Sequence, residues 1–346
     1  MQGEGDLGGS IAAPALLGDI GATNARFGLL DTTGRVGRIR VRACRDHAGL
    51  AEAAEDYLEA AHFDGAETAP PLRLGAAAIA VAGPVMGDAV SFINHPWSFS
   101  QAALKSRLGL DRLVIVNDFG AVAAAAPHLG MSDLGWIGGG AAPDIHVPKA
   151  MIGVLGPGTG LGVGGTLPIG GRWVALTGEG GHVSLAPATE RESRVLDAMR
   201  RRFGYVSAER ALCGPGLVNL YGILAEIDGA TPRPYTPPHI TEMAVDGGDP
   251  HCREALEMFA EMLGTVAGDL ALTLGAKGGI YIGGGIVPRL GSSFPAGRFR
   301  ARFENRGRLR PYVKDIPSFV IRHPFPAFVG LAALLRGDST IAACLD

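Results

Sequence analysis

The chain has 346 residues, of which 47% are hydrophobic and 19% charged, and its formal net charge is -3. This length favours two domains with substantial cores, and the hydrophobic content argues against a chain that is disordered overall. The nearly balanced charge gives no electrostatic argument for a nucleic-acid partner.

The first predicted elements are two short apolar strands, residues 14–18 and 27–30, joined by a turn of small residues. Turn formers between two apolar runs favour a β-hairpin. Its tip, Gly21 to Asn24, offers backbone N–H groups of the kind that bind anions. Asp19 stands at the strand end, where it is placed to contact a metal ion through water. An ordinary tight hairpin with an exposed Asp19 is the alternative.

Strand and helix patterns then alternate, which predicts an α/β fold. The predicted elements are helices over 50–61 and 101–108 and strands over 76–81 and 113–116. The last of these strands ends in Asn117-Asp118, and an Ala-rich helix over 121–126 follows, interrupted by Pro127. Ligands bind at the carboxyl ends of buried strands in open α/β sheets, whereas the alternative is that Asp118 merely caps the helix.

A second glycine-rich turn, residues 156–162, lies between predicted strands at 151–155 and 164–167. Glycine lets a phosphate approach the backbone closely, and Thr159 adds a hydroxyl donor. The turn is not a Walker loop, because no Gly-Lys-Ser/Thr follows it. It is not a Rossmann fingerprint, because no strong helix pattern starts there.

Two polar segments come next, Gly178–His182 and Val206–Arg210. Glu179 and His182, three apart among glycines, cannot form an amphipathic helix face, and their side chains suit the recognition of hydroxyl groups. A metal site is the rival, weakened by the lack of a second such motif or a Cys cluster. For Glu209 the alternative is a helix start with a carboxylate in its first turn.

The remaining chain predicts helices over 191–203, 213–227, 250–274 and 327–336 and a strand over 279–282. Three glycines, Gly283 to Gly285, follow that strand. A simple strand-to-helix turn accounts for them as well as a ligand-binding loop does. The basic run from Arg298 to Arg310 contains Glu304 and two phenylalanines. It predicts an amphipathic helix with a solvated face in preference to a nucleic-acid site.

The cysteines and the N-terminus indicate the compartment. The four cysteines are widely spaced and form no Cys-x-x-Cys pair, which favours free thiols in a reducing compartment. The N-terminus lacks a basic leader, and no apolar run reaches the roughly 18 residues of a membrane span. We expect a soluble cytoplasmic protein without membrane association, with a disordered tail over residues 1–12.

Eight stretches stand out in chain order, namely GDIGATNARFGLL, INHPWSFS, VNDFGAVAAA, GPGTGLGVG, GEGGHVSLAP, VSAERALCGPGL, GGIYIGGGIVPR and HPFPAFVGLAALL. In their order and spacing they resemble the bacterial glucokinases, which are ATP-dependent members of the hexokinase/actin/heat-shock ATPase superfamily. The resemblance extends from Leu16 to Arg336. Ala22 departs from it, since the superfamily commonly has a second glycine there. The tail before Ala13 and the Pro-rich stretch 232–238 have no clear counterpart. The zinc-binding Cys/His signature of the related repressor–kinase group is missing.

The resemblance implies a two-domain actin-like ATPase (ribonuclease H-like) fold with an interdomain active-site cleft. It assigns residues 13–126 and 325–346 to a small α/β domain and residues 127–324 to a large one. It also implies ATP and Mg²⁺ as cofactors, glucose as substrate and a homodimer. The implied reaction is transfer of phosphate from ATP to the glucose 6-hydroxyl, the first step of glycolysis.

The resemblance also implies a role for each candidate residue. Asp118 is the general base, and the residues that bind the sugar are Asn117, Asp118, Glu179, His182 and Glu209. The residues that bind ATP are Asp19, Gly21, Ala22, Thr23 and Asn24 in the first loop, Gly158, Thr159 and Gly160 in the second, and Gly283, Gly284 and Gly285 on the adenosine side.

Other functions stay open at this point. A kinase for another hexose and polyphosphate as phosphoryl donor are both compatible with the sequence. A nucleotide-driven regulator or chaperone on the same fold would need a partner-binding or DNA-binding domain, for which the tail is too short. A sugar-binding module without catalysis is disfavoured by the presence of Asp118.

Overall fold

The structure is a computed structural model that describes residues 11–63, 73–83, 85, 87–92, 96–138 and 150–342. Most of the predicted tail, residues 93–95 of the INHPWSFS stretch and Cys344 lie outside the described residues.

The strands are β1 Ala15–Ile20, β2 Asn24–Leu30, β3 Val36–Ala43, β4 Ala76–Val81, β5 Ala89–Ser91, β6 Ser98–Ser100, β7 Arg112–Asn117, β8 Leu134–Trp136, β9 Ile152–Pro157, β10 Leu161–Ile169, β11 Arg172–Gly178, β12 Gly279–Ile282, β13 Ser318–Ile321 and β14 Ser339–Ile341. The α-helices are α1 Leu50–Phe63, α2 Gln101–Arg107, α3 Asp118–Ala125, α4 Glu190–Phe203, α5 Gly214–Ile227, α6 Pro237–Asp246, α7 Pro250–Leu274, α8 Val287–Leu290, α9 Ala296–Glu304, α10 Arg310–Val313 and α11 Pro326–Arg336.

The chain divides into two compact units. Unit 1 contains the described residues of Met1–Leu129, Pro168–Thr177 and His323–Asp346, and unit 2 contains those of Gly130–Leu167 and Gly178–Arg322. The sequence-based division assigned the segment Pro168–Thr177 to the large domain, whereas here it lies in unit 1. It belongs to unit 1 because β11 pairs in parallel with β14, from Trp173↔Ser339 to Ala175↔Ile341.

Unit 1 is built on a five-stranded sheet in the order β3-β2-β1-β4-β7. The predicted hairpin is confirmed, since β1 and β2 pair antiparallel from Ala15↔Leu30 to Ile20↔Ala25. Strands β1, β4 and β7 run parallel, with Ile20 opposite Val81 and Val81 opposite Asn117. The carboxyl ends of these three strands therefore lie at one edge of the sheet.

Helix α3, which follows β7, packs against α11 in unit 1. Small side chains allow the close approach: four alanines of α3 are fully buried, and a methyl group at Gly330 of α11 would strike the Ala121 carbonyl. This packing fixes the N-terminus of α3, where Asp118 begins the helix.

Unit 2 contains strands in the order β10-β9-β12-β13-β8. Strands β9 and β10 are antiparallel, whereas β12 is parallel to both β9 and β13. Its core gathers apolar side chains from α4 to α7. Helix α7 begins after Asp249, whose carboxylate accepts from two N–H groups of the first turn, and ends at Gly275 in a left-handed conformation. The observed bounds, Pro250–Leu274, confirm the prediction. They could be predicted because both end signals act within one helical turn.

The basic run from Arg298 to Arg310 differs from the prediction of one helix with a solvated face. Helix α9 ends at Glu304 and α10 starts only at Arg310. Arg300 is 8% exposed and donates to the carbonyls of Ile316 and Lys314. Arg302 lies 2.8 Å from the buried carboxylate of Glu192. These two guanidinium groups therefore bind carbonyl and carboxylate groups of unit 2, as a buried charge requires.

Other sequence expectations can be compared with the described residues. Cys44, Cys213 and Cys252 are free thiols, as predicted, and all three are buried. The Pro-rich stretch 232–238 leads into α6, with the ring of Tyr235 5.4 Å from that of Tyr221. Within the described ranges, no helix is both long and apolar enough to cross a bilayer.

Candidate active site

Asp19 lies next to the last residue of β1, opposite Arg26 on β2. The Arg26 guanidinium donates to its Oδ2 atom at 3.0 Å, and a quarter of the Asp19 side chain is exposed. Burial raises the pKa of Asp19, and the charge and hydrogen bond of Arg26 offset that rise only in part. Asp19 is therefore a partly buried, ion-paired carboxylate, which differs from the exposed Asp of an ordinary hairpin.

The turn after β1 is held by backbone hydrogen bonds. Gly21 N donates to Asn24 O at 3.0 Å, and Cys44 N donates to Thr23 O at 2.9 Å. Neither Gly21 nor Ala22 has a positive φ. The methyl group of Ala22 therefore sits on the turn without backbone strain.

Asn117 and Asp118 join β7 to α3, and it is Asn117 that caps the helix. Its Oδ1 atom accepts from Phe119 N at 2.9 Å and Gly120 N at 3.3 Å, and its Nδ2 donates to Gly83 O at 3.1 Å. The predicted sugar contact of Asn117 must therefore use the second Nδ2 hydrogen. Asp118 is the first residue of α3, half-buried, and its Oδ1 accepts from Phe119 N at 2.8 Å.

The two polar positions of unit 1 share one sheet edge. Asp19 is one residue before Ile20, which pairs with Val81 of β4, and Val81 pairs with Asn117 of β7. Adjacent strands lie about 4.8 Å apart, so the ends of β1 and β7 are separated by about 10 Å. The α3 N-terminus at this edge favours the anionic form of a carboxylate.

Glu179, His182 and Glu209 come together in unit 2. His182 Nε2 lies 4.0 Å from Glu179 Oε2 and 4.0 Å from Glu209 Oε1. The side chains of Glu179, His182 and Glu209 are 81%, 58% and 32% exposed. These separations exceed hydrogen-bond length, so the three groups do not saturate one another and can bond to hydroxyl groups of a ligand. We call them the carboxylate–imidazole cluster.

Glycines allow the turn that carries two members of this cluster. Gly180 to His182 form a 3₁₀ turn, and His182 N donates to Glu179 O at 2.9 Å. A methyl group at Gly181 would collide with the Leu161 carbonyl of β10. Glu209 lies in a second 3₁₀ turn that starts after Ser207. Glu209 is thus a carboxylate in the first turn of a helix, as the alternative had it, and it also lies close to His182.

Glu209 also links the cluster to the second glycine-rich turn. Its Oε2 atom accepts from Leu161 N at 2.8 Å, and a methyl group built on Gly160 would lie 2.5 Å from that same oxygen. Gly158 N donates to Gly160 O at 2.8 Å, and Gly158 O accepts from Gly214 N at 2.8 Å. The absence of a side chain at residue 160 is what allows the carboxylate to reach this loop.

The third glycine run packs against the second. Gly284 has φ +77°, and a methyl group there would collide with the Pro157 carbonyl. Ile286 N donates to Pro157 O at 3.2 Å. Residues 156–160 and 283–286 therefore form one small-residue surface in unit 2, next to the carboxylate–imidazole cluster.

The residues present suit a magnesium ion that is held through water, not one enclosed by protein side chains. Among the described residues, no group of three or more His, Cys, Asp or Glu side chains could hold a metal ion. Glu179 and His182 belong to no such group in the described part of the chain. Mg²⁺ keeps several waters and binds through one or two carboxylates plus substrate phosphates. Asp19 fits such a water-mediated role toward a magnesium ion that arrives with ATP.

Sequence reasoning missed three supporting groups. Arg26 pairs with Asp19, the Tyr205 hydroxyl donates to His182 O at 2.7 Å, and the Cys213 thiol donates to Glu209 O at 3.0 Å. Arg26 had a local signal, because a hairpin places it opposite Asp19, and Cys213 lies only four residues after Glu209. The Tyr205 contact spans 23 residues and connects separate turns.

Comparison with known proteins decides the family. A family model described as Glucokinase matches residues 16–338. The chain belongs to the glucokinase family. A glucokinase of Nitrobacter hamburgensis is 46% identical over 328 residues, covering 95% of this chain and 99% of that protein. A glucokinase of Paramagnetospirillum magneticum is 49% identical over 321 residues, covering 92% and 97%.

The fold is also that of a known glucokinase. The crystal structure of a glucokinase from an Antarctic psychrotroph superposes with a TM-score of 0.83 and 32% identity, covering 94% of this chain and all of that one. The predicted family and the predicted α/β fold of the actin-like ATPase class are both confirmed. The roles of individual residues stay predictions.

Proposed function

We propose that this member of the glucokinase family transfers the γ-phosphoryl group of ATP to the 6-hydroxyl of D-glucose, the first step of glycolysis. The observation that carries the proposal is the contact between Glu209 and the second glycine-rich turn in unit 2. It puts a cluster suited to hydroxyl groups directly beside a small-residue loop suited to phosphate. Phosphoryl transfer to an alcohol needs both, because its catalysis is mainly positioning and charge stabilisation.

The proposal gives each candidate residue a task. Asp118 accepts the proton of the sugar 6-hydroxyl as the O6–phosphorus bond forms and the bond from phosphorus to the departing ADP breaks. Glu179, His182 and Glu209 hold the other hydroxyl groups. Because Asp118 is held at the helix N-terminus by Phe119 N, its carboxylate has a fixed direction. A carboxylate in a fixed direction favours proton transfer in one geometry.

The glycine loops and Asp19 take the nucleotide side. Backbone groups of Gly21–Asn24, Gly158–Gly160 and Gly283–Gly285 are proposed to contact ATP. Magnesium bound with ATP would offset charge on the phosphate oxygens, and Asp19 would hold it through water. A cytoplasmic location, expected from the cysteines and the N-terminal sequence, and a homodimeric state, implied by the resemblance, belong to this proposal.

The test is a coupled assay of ADP formation with purified full-length protein, ATP and a panel of sugars, together with an assay of glucose 6-phosphate formation when polyphosphate replaces ATP. We expect turnover with glucose and ATP, weaker turnover with 2-deoxyglucose or glucosamine, and little with galactose or fructose, or with polyphosphate as donor. A site that hydrogen-bonds a hydroxyl rejects analogues by up to about 10⁴-fold. No ADP formation with glucose, or a stronger preference for another hexose, would overturn the proposal.

Asp118→Asn tests the base within the same assay. The variant keeps an oxygen for Phe119 N but cannot take a proton, so kcat should fall by about 10²-fold or more with glucose affinity little changed. Asp111→Asn is the matched control, because Asp111 is an exposed carboxylate just before β7, at the other end of the strand. A wild-type kcat in Asp118→Asn would contradict the assignment.

A further inference from the structure

Tyr205 has an unusual environment for an exposed tyrosine. The residue is 57% exposed, yet its hydroxyl makes two hydrogen bonds in unit 2. It donates to the His182 carbonyl at 2.7 Å and accepts from Ser184 Oγ at 3.2 Å. Because an exposed hydroxyl bonds equally well to water, these contacts contribute little to stability and need another explanation.

The contacts hold the peptide groups on both sides of His182. On the N-terminal side, His182 N donates to Glu179 O at 2.9 Å. On the C-terminal side, the His182 carbonyl accepts from Tyr205. The orientation of the peptide groups on either side of His182 sets where its Cβ points, so the two bonds together fix the direction in which the side chain leaves the backbone.

The neighbouring segment needs such a support. His182 follows two glycines, which restrict the backbone least of all residues. The chain after it is tied by Ala208 N to Val183 O at 2.9 Å and by Leu185 N to Val206 O at 3.1 Å. Those bonds hold residues 183 and 185, but they leave the His182 carbonyl itself to Tyr205.

We propose that Tyr205 is a positioning residue of the sugar site, whose hydroxyl fixes His182 so that its imidazole meets Glu179 and Glu209. The inference rests on the proposed function, in which His182 binds a sugar hydroxyl. It assigns to Tyr205 no contact with the substrate and no part in the chemistry at the 6-hydroxyl.

Tyr205→Phe removes the hydroxyl and keeps the ring. A single neutral hydrogen bond shifts an equilibrium by about two- to tenfold, so we expect the glucose KM to rise by about three- to tenfold. The kcat and the ATP KM should stay within about twofold, because uniform binding of the sugar is what is lost.

Tyr221→Phe is the matched control. The Tyr221 hydroxyl also bonds to the backbone, accepting from Arg233 N at 3.0 Å, but it lies in α5 and contacts no member of the cluster through that bond. Its loss should leave the glucose KM unchanged. A rise in the glucose KM equal to that of Tyr205→Phe would show a general structural effect and overturn the inference.

A double-mutant cycle with His182→Ala separates this inference from the proposed function. If Tyr205 acts through His182, Tyr205→Phe should have no further effect in the His182→Ala background. A full effect there, or a wild-type glucose KM in Tyr205→Phe while His182→Ala raises it, would refute the inference alone. An unchanged glucose KM in His182→Ala would remove His182 from the sugar site, and the inference would fail together with the proposed role of His182, while glucose phosphorylation itself is judged by the ADP assay.

Discussion

Gly160→Ala tests the contact that joins the carboxylate–imidazole cluster to the second glycine-rich turn. The added methyl group would lie 2.5 Å from Glu209 Oε2, whereas ordinary contact begins at 3.4 Å. The carboxylate must therefore move by about 0.9 Å or the loop must shift by as much. Either movement stretches the hydrogen bond from Leu161 N to the same oxygen, now 2.8 Å long.

Two magnitudes follow from that displacement. Loss of the Leu161 hydrogen bond costs about 0.5–1.5 kcal/mol of folding free energy, which lowers Tm by about 2–4 °C per kcal/mol in a domain of this size. A site group misplaced by about 1 Å can cost about 10²-fold in rate. We therefore expect kcat/KM for glucose to fall by about 10- to 100-fold.

Calorimetric titration of glucose and the coupled ADP assay measure the outcome. Gly222→Ala in α5 is the matched control, because the same methyl group there meets no atom within 4 Å. It should keep full activity and add about 0.5–1 kcal/mol of stability, since alanine suits a helix better than glycine. Glucose affinity of Gly160→Ala within twofold of wild type would refute the reasoning.

Three further predictions concern charge and conformation. Burial raises the folded-state pKa of Asp19 above its unfolded value. The contribution of Asp19 to the free energy of unfolding is therefore favourable at acid pH and is lost as the pH rises. Asp19→Asn should therefore melt at the same or a higher temperature at pH 7, while its KM for Mg-ATP rises. Ala22→Gly should remain active with an equal or lower ATP KM and lose about 0.5–1 kcal/mol of stability. Burial raises the pKa of Cys213 to about 11 and that of Cys252 to about 12. The unfolded thiols ionise first, so urea titrations should show the free energy of unfolding falling between pH 9 and 11, by up to about 1.4 kcal/mol per pH unit for each thiol.

Each of these has a contrary result. A much lower melting temperature for Asp19→Asn would mean that the Arg26 pair outweighs burial. An inactive Ala22→Gly would show that the turn is read wrongly. A free energy of unfolding that stays constant from pH 9 to 11 would contradict the prediction. A fall in Cys252→Ala as large as in the wild type would show that the Cys252 thiol does not cause it.

Much of the fold was determined locally. Strands β4 and β12 and helix α7 have the predicted bounds. Apolar runs define the strands, and Asp249 and Gly275 mark the helix ends with signals that act within one turn. The first hairpin and the Asn117-Asp118 position at a strand end were predicted for the same reason.

Other features depended on how the chain folds back on itself. The segment Pro168–Thr177 lies in unit 1, where β14, far along the chain, pairs with β11. The arginines of the basic run looked solvated, but Arg302 meets Glu192 of α4 and is buried with it. A charge pattern read along one segment cannot show a partner more than a hundred residues away.

The sequence by itself determined the elements, the family and a set of candidate residues, because each depends on patterns within a few neighbouring positions. Only the tertiary structure decided which of them meet. Glu209 reaches Leu161 across 48 residues, and Tyr205 reaches His182 across 23. Such contacts depend on the packing of β10 and the two 3₁₀ turns, and packing is a property of the folded chain rather than of any segment.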